Sequence, residues 1–192
     1  GALPHQALAA LRELQLGPAE DLGDAALAPL EKAQQLTTLR LVDCGGLEGS
    51  FLRPLRRLES LLCSGCPRLG DSFVESVAGL PLQRLAVAGA VRLSDSLLAA
   101  VCTGPAPDAA GPPPASRLVH LDLSRTAVTD AGVAWLSGMR ALEVLILSCT
   151  ASVSMTTVRS LAAALGLRAA LPDRPKVLVR SLRGGAELRE ER

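Results

Sequence analysis

One arrangement of apolar and polar positions recurs along the chain about every two dozen residues. Each copy has an aliphatic residue or a cysteine at its first, fourth and sixth positions, a small residue three places later, and another aliphatic residue soon after. The first, fourth and sixth positions of the copies are Leu11/Leu14/Leu16, Leu36/Leu39/Leu41, Leu58/Leu61/Cys63, Leu82/Leu85/Val87, Leu118/Leu121/Leu123 and Leu142/Leu145/Leu147. Because the fourth and sixth positions alternate with other side chains, each copy predicts a short strand with one buried side.

A helix is predicted after the strand, and the fifth copy shows it most clearly. Val133, Leu136 and Met139 recur there at a spacing that places them on one helical face. An aspartate stands at the start of this helix and at the matching place of three other copies; these residues are Asp24, Asp71, Asp95 and Asp130. A carboxylate at a helix start can accept hydrogen bonds from free backbone N–H groups, so each aspartate is predicted to cap its own helix.

Repeats of one strand and one helix predict an α/β solenoid, with a curved parallel sheet on the concave side and helices on the convex side. Each repeat buries its leucines only against its neighbours, so residues 1–192 are predicted to form a single domain of about six repeats. Val177 and Val179, which follow Pro172 and Pro175, predict a final strand that closes the sheet.

Three segments depart from the repeat. Residues 104–116 contain five prolines, which cannot continue a helix or a central strand, and they predict an insertion loop. Residues 184–192 predict a solvated, charged tail. Residues 1–10 resemble the end of a preceding repeat's helix or a cap, which leads us to expect that sequence precedes Gly1 in the natural protein.

The strand alternation also predicts which side chains lie on the concave side. If the fourth and sixth positions face the core, the third and fifth face outward and form two rows across the sheet. The rows are polar at the N-terminal end and apolar at the C-terminal end. The candidate partner-binding residues on this side are Arg40, Leu62, Arg84, Ala86, His120, Asp122, Val144, Ile146 and Leu178. Exposed aliphatic residues on adjacent strands are typical of a contact site.

Charge and composition narrow the partner to a protein. Lys and Arg number 20 against 19 Asp and Glu, in short clusters, so the chain has no basic patch for nucleic acid. No apolar run approaches about 18 residues, which disfavours insertion into a membrane. At least three of the five cysteines lie at inward positions, which predicts reduced thiols. Reduced thiols indicate an intracellular protein; the cytoplasm is favoured, and an organelle stays open. Tyrosine is absent, so partner binding has to use aliphatic, arginine and polar side chains.

No pattern of catalytic, cofactor-binding or metal-binding residues emerges. Cys63 and Cys66 have the spacing of a zinc or redox pair, but both occupy positions of the repeat and no second such pair exists. His120 and Asp122 are predicted to project from the same face, but no sequence motif identifies a serine or cysteine nucleophile that could act with them. The glycine pairs match no phosphate-binding motif. We therefore predict no enzyme activity, no cofactor and no metal.

The repeats resemble the cysteine-containing subclass of leucine-rich repeats found in F-box proteins. The resemblance rests on Cys44 and Cys66 at the small-residue position, on the aspartate near each helix start, and on the closing segment VRSLAAALGL followed by VLVRS. The fifth copy differs from this subclass and resembles a shorter form of the repeat. The residues that carry this difference are Thr126, Val128, Asp130 and Val133.

The resemblance implies two possible functions. The first is the substrate-recognition arm of a ubiquitin ligase, joined to a cullin-ligase adaptor through an N-terminal F-box that is not among these residues. Proteins with similar repeats also serve as structural or assembly subunits of large complexes, in mitochondria or cilia, with neighbouring subunits as partners. Both functions are non-catalytic, and the sequence leaves both open.

Overall fold

The computed structural model describes residues 5–103, 117–165, 167–170 and 178–181, with only the backbone described for 5–7, 167–170 and 178–181. The strands of the described residues are β1 (Glu13–Leu16), β2 (Thr38–Val42), β3 (Ser60–Ser64), β4 (Arg84–Ala86), β5 (His120–Asp122), β6 (Val144–Ile146), β7 (Leu167–Ala170) and β8 (Leu178–Ser181). The α-helices are α1 (His5–Ala10), α2 (Asp71–Val77), α3 (Asp95–Thr103), α4 (Asp130–Ala134) and α5 (Met155–Leu165). The predicted loop 104–116 and tail 184–192 lie outside the described residues.

Strands β1 to β6 are parallel and pair in sequence order. Their register places the fourth position of every copy in one row, which runs through Leu14, Leu39, Leu61, Leu85, Leu121 and Leu145. Each strand therefore contributes the same repeat position to the same row. This confirms the predicted solenoid of six repeats, with the leucine-rich pattern as its cause.

The core lies between this sheet and the helices. The fourth and sixth positions of the second to sixth copies are at most 3% exposed, whereas Leu14 and Leu16 on the edge strand are only partly buried. Fully burying one leucine contributes about 1.5–3 kcal/mol, so stability comes chiefly from these stacked rows. Thr126 and Thr150 also lie in the core, where their hydroxyls donate to the carbonyl oxygens of Leu123 and Leu147.

The closing strand is present as β8, but it runs antiparallel to β6. It lies between β6 and β7, so the end of the sheet is a hairpin of β7 and β8 with β7 at the edge. The sequence analysis did not predict β7. Its residues, Leu-Arg-Ala-Ala, include no β-branched side chain and follow an alanine-rich helix, so they carry no local signal for a strand.

Helical structure on the other side of the sheet varies from repeat to repeat. The first two repeats carry 3₁₀ segments, Asp24–Lys32 and Ser50–Leu52, in place of α-helices. Pro29 lies inside the first of these and lacks the N–H that an α-helix would use. In the fifth repeat α4 continues as a 3₁₀ turn, Trp135–Gly138. Val133, Leu136 and Met139 are all buried there, which confirms the predicted apolar face.

The prediction that the aspartates cap their own helices is wrong. Each is the first residue of its helical segment, and the preceding residue holds the cap position, as Thr129 does before Asp130. The carboxylates instead reach the following repeat. Asp24 accepts from Ser50 N at 2.6 Å, Asp95 from Thr129 N at 2.8 Å and Asp130 from Ser154 N at 2.7 Å. Within the described residues Asp71 makes no such bond. Asp24, Asp95 and Asp130 therefore link consecutive repeats.

Candidate protein-binding face

The register brings the third and fifth positions of the copies together on the face of the sheet turned away from the helices, which we call the open face. One row runs Glu13, Thr38, Ser60, Arg84, His120, Val144, and the second runs Gln15, Arg40, Leu62, Ala86, Asp122, Ile146. On β8, Leu178 lies opposite Ile146 and Arg180 opposite Val144. All nine candidate residues thus fall in the predicted rows, and their role in binding stays a prediction.

The N-terminal half of the open face contains a polar depression of about 320 Å³. Its lining residues are Glu13, Thr37, Thr38, Arg40, Glu59, Ser60, Gln83 and Arg84. Both arginines are exposed. The ion pairs present in the described part of the chain, Arg53 with Glu75 and Arg68 with Glu48, lie elsewhere. Arg40 and Arg84 are therefore exposed and form no ion pair among the described residues.

The two carboxylates of the depression differ in their surroundings. The Glu59 carboxylate accepts a hydrogen bond from the Gln83 side-chain amide at 3.4 Å. Glu13 lies at the outer end of the row, on β1, and is separated from Ser60 by β2. Thr37 donates its hydroxyl to the carbonyl oxygen of Arg12, which ties the floor of the depression to the first repeat. The depression thus combines two arginines and several uncharged donors with two carboxylates.

His120 and Asp122 are half-buried at the centre of the open face. The Asp122 carboxylate accepts from the Ser124 amide at 2.9 Å and from the Ser124 hydroxyl at 2.6 Å, so it is directed to the turn after β5. Burial lowers the pKa of His120 below its ordinary value; the Asp122 carboxylate opposes this shift and Arg84 adds to it. The imidazole is therefore neutral at pH 7 and offers one donor and one acceptor to a partner.

The C-terminal end of the open face carries an apolar pair on β6. Val144 and Ile146 flank the fully buried Leu145, and both are half-buried on the open side. Leu62 is half-buried in the same row as Ile146. The alternation of buried and outward residues continues through β6, so the register does not slip in the last parallel strand. Val144 and Ile146, predicted to belong to an apolar cluster at the C-terminal end, thus lie side by side in the two rows, with Arg180 of β8 opposite Val144 in the register.

Three of the five cysteines lie in the core. Cys44 and Cys66 occupy the small-residue position of neighbouring repeats and are fully buried, and Cys63 is a strand residue of the core. The Cys44 thiol donates to the carbonyl oxygen of Val42 at 3.5 Å and the Cys66 thiol to that of Ser64 at 3.7 Å. Burial raises the pKa of all three thiols, so they are uncharged at neutral pH. Within the described residues no group of three or more metal-ligating side chains could hold an ion.

Sequence reasoning missed two surface features. An apolar depression of about 350 Å³ lies beside the sixth repeat, lined by Leu147, Cys149, Thr150, Ala151, Val153, Met155 and Val158. Trp135 is 51% exposed on the helical side. The position of Trp135 among Val133, Leu136 and Met139 in the helical period does predict an outward orientation, so the sequence carried that signal. The depression depends on how the last repeats pack and has no such signal.

The comparisons with known proteins leave the function open. No protein-family model matches the sequence, and no curated protein matches it. A distant structural resemblance exists to one chain of the solved structure described as "Crystal structure of Rad7 and Elc1 complex in yeast", at 16% sequence identity and a TM-score of 0.32. The alignment covers 82% of this chain and 61% of that chain, so this chain spans less than two thirds of its length. Among the described residues, no helix is both long and apolar enough to cross a membrane.

Proposed function

We propose that the chain is a non-catalytic protein-interaction domain that binds a protein partner through its open face. The observation that carries the proposal is the register of β1 to β6, which aligns two rows of outward side chains across six strands. Five strand spacings of about 4.8 Å make this surface about 24 Å wide. It combines unpaired arginines with half-buried aliphatic residues, a composition suited to protein contact.

The finer proposal is that the domain is the substrate-recognition arm of an F-box-type ubiquitin ligase inside the cell. Its support is the resemblance of the repeats, with Cys44 and Cys66 buried at the small-residue position of neighbouring repeats. The uncharged, buried thiols fit a reducing compartment. In this proposal an F-box outside the present residues connects the arm to a cullin-ligase adaptor, and the open face holds the substrate.

The experiment that tests the finer proposal is affinity purification of the natural full-length protein from its own cells, followed by mass spectrometry. Recovery of a cullin and an F-box adaptor supports the ligase function, and further proteins stabilised by proteasome inhibition are its substrates. Stoichiometric recovery of one stable assembly without a cullin contradicts the ligase function and favours a structural or assembly subunit. Both outcomes are consistent with a protein-interaction domain, whereas recovery of the protein alone contradicts it.

A further inference from the structure

The polar depression is arranged around β3. Ser60 and Leu62 of β3 lie in the two rows, with Arg40 on the strand before them and Arg84 on the strand after them. Arg84 is the direct neighbour of Ser60 in its row, and Arg40 is the direct neighbour of Leu62. Both arginines line the same depression as Ser60. A group above Ser60 can therefore be reached from two sides by arginine.

The depression carries two arginines and two glutamates, and of these four residues only the arginines lie in the two rows on the strands next to β3. Glu13 is two strands from Ser60, about 10 Å, which exceeds the Debye length of about 8 Å at physiological ionic strength, so its charge is largely screened there. Glu59 keeps its charge but precedes β3, outside the two rows, where its carboxylate accepts from the Gln83 side-chain amide. Ser60 and Thr38 add hydroxyl donors. A carboxylate that accepts from both arginines would make charge-assisted hydrogen bonds, the stronger kind in proteins.

The apolar pair on β6, Val144 and Ile146, supplies the second contact. Val144 and Ile146 lie in the same rows as Ser60 and Leu62, three strands further along the sheet. Three strand spacings correspond to about 14 Å. An extended peptide advances about 3.3 Å per residue, so about four residues span this distance, and side chains at positions i and i+4 of an extended peptide point to the same side.

We propose that the open face binds a linear peptide segment of the partner, with an aspartate or glutamate between Arg40 and Arg84 and an aliphatic side chain about 14 Å away against Val144 and Ile146. This inference rests on the proposed function, because it names the chemistry of the partner at the same face. Such a segment crosses the strands, with its acidic end toward β3 and its aliphatic end toward β6.

The test is selection of a displayed library of random 12-residue peptides on the full 192-residue chain, followed by affinity measurement on synthetic peptides. We expect the selected peptides to share an acidic residue and, four positions away, Leu, Ile or Val. Replacing the acidic residue by its amide should weaken binding about tenfold or more, as loss of a charge-assisted hydrogen bond predicts. The variant carrying both Arg40→Gln and Arg84→Gln should bind the acidic peptide and its amide equally.

The controls separate this inference from the proposed function. Arg92→Gln removes an exposed arginine outside both rows and should leave the acidic preference unchanged. If Ile146→Asp abolishes peptide binding while the double arginine variant binds as before, the open face binds peptides but the acidic contact is wrong. Binding that requires a phosphorylated residue in place of Asp or Glu also overturns it. If peptides bind and no open-face substitution weakens them, the proposed function itself fails.

Discussion

Removal of the Asp95 carboxylate, in the variant Asp95→Ala, should uncouple the fourth repeat from the fifth. The carboxylate accepts from the Thr129 amide at 2.8 Å and from the Thr129 hydroxyl at 2.6 Å. A hydrogen bond to a charged group contributes about 1.5–3 kcal/mol when buried. Asp95 and Thr129 are half-buried, so water compensates part of the loss. We therefore expect the free energy of unfolding to fall by about 2 kcal/mol.

Asp71→Ala is the matched control for this prediction. Asp71 is also the first residue of its helix, α2, and shares the favourable interaction of an acidic side chain with a helix start. It is exposed and, within the described residues, makes no bond to the next repeat. Its substitution should cost about 0.5 kcal/mol or less.

Urea unfolding followed by circular dichroism measures both variants. Unfolding of a repeat protein can lose cooperativity, so the slope of each transition has to be compared with that of the wild type. The difference between the two variants isolates the bonds between repeats, because the interaction with the helix start is common to both. Equal losses for Asp95→Ala and Asp71→Ala would refute the role of the aspartates as links between repeats.

Three further predictions concern acid, packing and thiols. Burial raises the pKa of Asp24, but hydrogen bonds from Ser50, Glu48 and Gly49 outweigh it and hold the pKa below its ordinary value. Its contribution to stability should be complete at pH 7 and should decline as the pH falls below about 4. Urea unfolding should therefore show Asp24→Asn less stable than the wild type at pH 7, with a difference that shrinks as the pH is lowered; a difference independent of pH would contradict this. Gly132→Ala should lower the unfolding midpoint, because the new methyl group would overlap Asp95 Oδ1 and disturb the bonds from Asp95 to Thr129. A neutral result would show that the carboxylate can move aside. In the folded protein a thiol reagent should modify the exposed Cys149 at once and the buried Cys66 only on unfolding, and equal rates by mass spectrometry would contradict the burial.

Much of the fold follows from local patterns, because the alternation of side chains along a strand and the period of a helix depend only on neighbouring residues. The rows through Leu39 and Arg40 were predictable for this reason, and the structure confirms their register. Since every repeat carries the same pattern, a correct assignment of the strand in one repeat gives the position of the strand in the others. Eight of the nine candidate residues fall in the two rows as a direct consequence, whereas the backbone position of Leu178 opposite Ile146 depends on the pairing of β8 with β6.

The features that sequence analysis missed depend on contacts between distant segments. The hairpin of β7 and β8 is set by pairing with β6, which the residues Leu167–Ala170 do not indicate locally. The bond from Asp95 to Thr129 depends on how neighbouring repeats are placed, and a single repeat shows only a helix start. In the same way, side-chain alternation along β5 predicts that Asp122 and His120 lie on one face. The hydrogen bonds from Ser124 to the Asp122 carboxylate are seen only in the structure.

The central claim is that the open face is the surface that binds a protein partner. The most direct measurement is quantitative co-purification from native cells with Ile146→Asp, on the open face, and Val91→Asp, an exposed aliphatic residue outside both rows. Ile146→Ala accompanies them, and thermal unfolding confirms that each variant is folded. We predict that the partner is lost with Ile146→Asp, reduced with Ile146→Ala and retained with Val91→Asp. Full recovery of the partner with a folded Ile146→Asp variant would contradict the claim.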